Sequence, residues 1–319
     1  MKIDIHAHIL PADFFPQAEK LGVNVAVGRI SKPPTKLFDN LDDRLQDMEK
    51  YRVSMQILSM GPPGVDMEGA SSKQSVELAR RFNDYLAELV AKHPKQFQAL
   101  AVLPLQDIEA SLNELDRAVK ELGLKGGKVF SNVKGKYLDH PDFWPIYDKC
   151  CQLDVPLYIH PTRPPYVDNM IDLGLMIPIG FLFDSSLTVA RLIYSGVMEK
   201  FPQLKLILAH LGSTLIYLAA RLDIEGVSLD KDKPAPRSQL PFPPTHYLKT
   251  IYTDTVSHHK PAYYCALETC GADKILLGSD YPYSLWDQTV DAIEELDIPQ
   301  DDKERIYFKN AQTLFKLSS

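Results

Sequence analysis

"KIDIHAH" (residues 2–8) decides how the chain is read. Its apolar and polar residues alternate, the period of a β-strand, in which side chains two apart point the same way. His6 and His8 therefore share one face, while Ile5 and Ala7 are expected on the other, toward whatever covers the strand. A strand that ends in two histidines on one face is either ordinary terminal polarity or half of a metal site. The rest of the chain decides between them.

Seven further strand-like runs follow: "VSMQILSM" (53–60), "FQALAVLPL" (97–105), "GGKVFS" (126–131), "VPLYIHP" (155–161), "LKLILAHLG" (204–212), "YLKTIYTDTVS" (247–257) and "DKILLGSDYPY" (273–283). Amphipathic helical patterns lie between them, at 41–52, 71–94, 107–123 and 184–202. The 107–123 pattern opens on an Asp N-cap and closes on a Gly. Near-continuous apolar strands alternating with helices predict a parallel sheet covered on both faces. Eight such units predict one α/β domain over 1–319, a (β/α)8 TIM barrel. An open doubly wound sheet is the rival, but no G-x-G-x-x-G follows the first strand. Residues 10–40 and 161–183 leave from the C-terminal ends of strands 1 and 5 and are expected to form lids. The proline-rich 226–246 follows a helix and is expected at the opposite rim, against solvent or a partner subunit.

Bulk properties exclude several function classes. A net charge of -7 argues against a nucleic-acid partner, which calls for a basic face. No 18-residue run is apolar throughout, so no membrane association is expected, and no secretory leader is recognisable. The four cysteines lack zinc-knuckle spacing and read as reduced thiols, which makes the cytoplasm the expected location.

Strand 5 ends in His160, strand 6 in His210 and strand 8 in Asp280. With His6 and His8, these side chains converge on the C-terminal rim of one barrel, where barrel enzymes build active sites. One histidine at a strand end is ordinarily a hydrogen-bonded structural residue. Four with an aspartate at one rim point instead to a single divalent ion, zinc first, with manganese or iron as alternatives.

"DIHAHILP", "YIHP", "ILAHLGS" and "LLGSDYPY", in that order, resemble the amidohydrolase superfamily, specifically the branch of aminocarboxymuconate-semialdehyde and γ-resorcylate decarboxylases. The similarity runs nearly end to end. It implies that His6, His8, His160 and Asp280 hold the metal, with His210 beside it for proton transfer, and that the protein is a homodimer or homotetramer. Resorcylate-type enzymes tend to carry Glu in place of the first histidine, whereas this chain keeps both, as the aminocarboxymuconate branch does. That branch also uses an arginine before the first barrel helix, where only Arg29 is available here.

The expected activity is metal-dependent, non-oxidative decarboxylation of a small aromatic or unsaturated carboxylic acid. The proton would pass through Asp280 or His210, and Arg163 on the strand-5 loop would serve as a carboxylate clamp. Lys128 on strand 4 alternates with Val129, so the pattern does not fix its direction. Facing inward, it could bind the substrate carboxylate. The same parts also suit a hydrolase or hydratase, in which a metal-activated water attacks an ester, lactone, carbonyl or alkene. A closed, non-catalytic metal site would have no use for His210.

Overall fold

The computed structural model describes residues 1–23, 41–224, 239–257, 259–284 and 286–317. Its strands, numbered in chain order, are β1 (Ile3–His8), β2 (Met55–Ser59), β3 (Phe97–Ala99), β4 (Ala101–Val102), β5 (Gly127–Phe130), β6 (Asn132–Val133), β7 (Lys136–Tyr137), β8 (Leu157–His160), β9 (Leu206–Leu208), β10 (Tyr252–Asp254) and β11 (Ile275–Leu276). β1, β2 and β3 pair in parallel, as do β4, β5, β8, β9, β10 and β11. β3 and β4 are one run interrupted at Leu100, whose N–H donates to the Leu58 carbonyl at 3.0 Å while Ala101 N–H turns to Gly126. The ring closes where Ile5 N–H donates to Leu277 O (2.8 Å), Asp280 N–H to His6 O (2.9 Å) and His8 N–H to Tyr281 O (2.7 Å). The result is a TIM barrel. β6 and β7 form a small antiparallel hairpin at its rim.

Local chemistry accounts for the helices. In Ser72–Lys92, Ser71 and Gln74 form a reciprocal capping box, and Leu78, Phe82 and Leu86 recur on one buried face. Asp107 accepts from Ala110 N–H to start Ile108–Lys120. The outward strand residues Ala7, Leu58, Val129, Ile159 and Leu208 pack with these helices in one core. The barrel interior holds a second core, in which Ile5, Ile57, Tyr158, Ile207 and Leu276 meet Leu314 and Phe315 of the helix Asn310–Phe315.

That interior core corrects the expected direction of Ile5. The β1–β2 register shifts between Asp4 and Ala7, the signature of a β-bulge. Ile5 and His6 therefore both face inward, and only Asp4 and Ala7 look out. Two other boundaries differ from the sequence pattern. The helix expected at 184–202 begins earlier, through a π-turn at Met176–Gly180 into Phe181–Tyr194, and breaks at Gly196 (φ +82°) before Val197–Lys200. Residues 244–248, partly inside the strand expected at 247–257, are helical because Pro244 can sit at a helix N-terminus but not in a central strand. The stretch Met176–Tyr194 is long and apolar enough to cross a membrane, with mean hydropathy 1.4, but half of it is buried within the protein. It contains the fully buried Asp184, which accepts hydrogen bonds from Ser131, Asn132 and Tyr137, so it packs here as a core helix.

Candidate metal centre and active site

The structure brings His6, His8, His160, His210 and Asp280 together at the C-terminal rim. His6 and His8 come from β1, His160 ends β8, and His210 and Asp280 occupy the turns just beyond β9 and β11. Both turn residues have left-handed backbone, with φ +60° at His210 and +63° at Asp280, strain of a kind that concentrates at functional sites. Imidazole centroids lie 4.9 Å apart for His6–His8, 5.0 Å for His8–His160 and 5.2 Å for His160–His210.

His6 Nε2, His8 Nε2 and Asp280 Oδ1 form a tight triangle with edges of 3.0, 3.0 and 3.2 Å. One donor atom each from His6, His160, His210 and Asp280 lies within 4.8 Å of the others. His160 Nδ1 bonds the Pro161 carbonyl at 2.7 Å, which leaves its Nε2 buried with no partner. An unpartnered buried imidazole nitrogen beside three converging donors is costly unless a cation fills the gap. These residues fit a divalent metal ion.

Asp254, at the end of β10, is a residue the sequence reading missed. Its Oδ2 lies 2.8 Å from His6 Nδ1 and accepts from Tyr158 Oη at 2.6 Å, while its Oδ1 accepts from Val256 N–H at 2.9 Å. In the neutral imidazole this pairing holds the proton on Nδ1 and leaves the Nε2 lone pair free for a cation, the usual role of a carboxylate behind a ligating histidine. The signal was available, since Asp254 ends a strand at the same rim.

The electrostatics follow from burial and these partners. Burial opposes charge on His6, but Asp254 and Asp280 outweigh it and raise its pKa to about 9. Burial, with Lys128 adding to it, lowers His8 to about 3. Burial and the charge of His6 lower His210 to about 4. His160 is likewise pushed well below the ordinary imidazole value, chiefly by burial. Asp280 is held well below the usual carboxylate range, because His6 and His8 overcome its desolvation.

The cluster floors a cavity of about 840 Å³ whose walls include Leu10, Phe15, Phe181, Ile216, Val256 and Tyr283. Among the described residues, its lining carries no lysine or arginine. Lys128 does face into the barrel, but it is fully buried; its Nζ donates to Ser59 Oγ at 2.9 Å, and burial lowers its pKa to about 7. Its position below the histidines keeps it out of the cavity lining and replaces the expected carboxylate contact. Arg163 is exposed and lines a neighbouring cavity of about 310 Å³ beyond Phe130, because Asn132 Nδ2 holds the Arg163 carbonyl (3.1 Å) on that side. Arg163 therefore does not line the cavity above the histidines, where the clamp was expected. Arg29, the outer part of the 10–40 segment and most of 226–246 lie outside the described residues.

The amidohydrolase family profile matches residues 3–317. The chain belongs to the amidohydrolase family. This amidohydrolase is 35% identical over 297 residues to a γ-resorcylate decarboxylase from a Polaromonas species, covering 89% of this chain and 90% of that one. It is 31% identical over 316 residues to 2-amino-3-carboxymuconate-6-semialdehyde decarboxylase of Dictyostelium discoideum, covering 92% and 86% of the two chains. Its fold superposes with a TM-score of 0.90, at 26% identity, on 5-carboxyvanillate decarboxylase from Novosphingobium aromaticivorans, covering 99% of this chain and 96% of that one. That structure holds manganese and 4-hydroxy-3-methoxy-5-nitrobenzoic acid. Membership makes this amidohydrolase an enzyme, and its similar proteins support a single divalent metal.

Proposed function

We propose that this amidohydrolase is a metal-dependent, non-oxidative decarboxylase of a small aromatic acid bearing a hydroxyl ortho to the carboxylate. The observation that carries the reading is the histidine–aspartate cluster flooring a largely apolar cavity in which no lysine or arginine, among the described residues, competes for the carboxylate. γ-Resorcylate and 5-carboxyvanillate, the acids in the names of two similar proteins, each have such a hydroxyl.

His6 Nε2, His8 Nε2, His160 Nε2 and Asp280 Oδ1 would hold the cation. Manganese, held by two of the similar solved structures, is favoured over the zinc expected from donor types alone. When bound, the ion supplies Lewis acidity toward the carboxylate and hydroxyl oxygens.

The protein does the rest. The apolar walls bind the ring and exclude water, which strengthens the electrostatics at the floor. Asp280 or His210, at that floor, would relay a proton taken up from solvent or substrate to the ring carbon bearing the carboxylate. The bond to the carboxylate then breaks, CO2 leaves, and the electron pair returns to the ring. The net result is one proton consumed and one C–H bond in place of C–CO2.

The deciding experiment is metal analysis of the purified protein, followed by CO2 release from hydroxybenzoates and muconate-type acids, with esters and lactones alongside. Turnover of an ortho-hydroxybenzoate with CO2 release is expected. Hydrolysis without CO2 would replace this reading with the hydrolase, and absence of bound metal would remove the site. A homo-oligomeric state is a further part of the proposal, which sedimentation as a monomer would remove.

A further inference from the structure

On the outer side of the barrel seam, behind the histidines, lies a buried polar network that the chemistry above does not use. Asp4, Gln56 and Arg44 are each no more than 1% exposed. Asp4 Oδ1 accepts from His6 N–H (3.1 Å) and Ser279 N–H (3.1 Å). Its Oδ2 accepts from Ser279 Oγ (2.7 Å), Trp286 Nε1 (2.7 Å) and Gln56 Nε2 (3.2 Å). Gln56 Oε1 in turn accepts from Arg44 Nη1 (2.9 Å), and Arg44 Nη2 donates to the His8 carbonyl (2.6 Å).

The endpoints on the backbone are informative. The β-bulge takes the His6 N–H out of the β1–β2 ladder, and the Asp4 carboxylate accepts it instead. The same oxygen holds the amide of Ser279, next to Asp280, and the network ends on His8. Three bonds thus fix the backbone at or beside three of the four proposed ligands. A purely structural polar cluster has no reason to end at those points.

We infer that Asp4, acting with Arg44 through Gln56, is the positioning residue that sets the aim of His6, His8 and Asp280 toward the metal. Asp4 touches neither metal nor substrate. It converts a local bulge into a fixed convergence of three ligands from two strands, and it rests on the metal-site reading above. Support of this kind, one layer behind the ligands, typically governs metal affinity by about 10–100-fold.

The test measures Mn2+ affinity, by the paramagnetic resonance signal of free Mn2+, in the metal-stripped full-length protein well below each variant's melting temperature. Asp4→Asn keeps the shape but places an NH2 group opposite N–H donors; it is expected to weaken Mn2+ binding by about 10–100-fold. Trp286→Phe is the control: it removes one Asp4 bond and a buried donor but touches no ligand backbone. Its melting temperature should fall while its Mn2+ affinity stays within about threefold of wild type. Arg44→Lys keeps the charge but loses the two-armed fork, and should weaken binding by about tenfold. It decides alone if Asp4→Asn does not fold. Wild-type affinity in Asp4→Asn, or in Arg44→Lys if that variant decides, overturns the inference, as does equal weakening in Trp286→Phe. Failure of the wild-type protein to bind Mn2+ overturns the metal-site reading itself.

Discussion

Binding of Mn2+ to the metal-stripped protein should release one proton and strengthen steeply with pH. The proton is that on His6, which Asp254 and Asp280 retain up to about 9 against the opposing effect of burial. Nε2 cannot ligate while it carries a proton, so the metal must displace it. His8 (lowered to about 3), His210 (lowered to about 4) and His160 are already neutral near pH 7, and Asp280 is already ionised; they add no protons. Apparent affinity should therefore rise about tenfold per pH unit and level off above about 9. Between about pH 6 and about pH 8 the gain is about 100-fold, or about 2.7 kcal/mol. Calorimetric titration in buffers of different ionisation enthalpy counts the protons directly. The sign for the metal-free fold is opposite: stabilisation from charged His6 is complete below the ordinary imidazole pKa and is lost as pH rises through about 9. Affinity that does not change with pH, or release of no proton, would refute the assignment of His6 Nε2 as a ligand.

Asp254→Asn turns an amide toward His6 Nδ1 and favours the tautomer with its proton on Nε2; metal affinity should fall at least 10–100-fold, by the same titration. His8→Ala removes one corner of the donor triangle and should leave no bound metal on elemental analysis and no CO2 release. Gly64→Ala places a methyl group 2.2 Å from Phe130 at φ +75°, and should cost about 1–3 kcal/mol in denaturant unfolding.

The features legible in the sequence were those that depend on period and strand order. Alternation in "KIDIHAH" put His6 and His8 on one face, and the helix caps at Ser71 and Asp107 lie where the pattern puts helix starts. The inward turn of Ile5 was not legible, because a bulge depends on how β1 pairs with β2 rather than on β1 alone. Asp254 was missed because strand 7 was read for its apolar run and not for its last inward residue. Arg163 was placed by its nearness in sequence to His160, but the backbone turns after Pro161 and carries it to the far side of Phe130. Lys128 shows the limit of alternation: the period gave two faces, and only the packed barrel shows that its amine reaches Ser59 beneath the site.

The seam between β1 and β11 also bears on how the chain acquires activity. The donors His6 and His8 meet Asp280 only after residues near the two ends of the barrel have paired, through Ile5 with Leu277 and His6 with Asp280. An N-terminal fragment, however well ordered, holds at most an open set of imidazoles. During synthesis, the full proposed donor set is assembled only after almost the whole barrel has left the ribosome. Completion of the proposed metal site would therefore coincide with closure of the barrel.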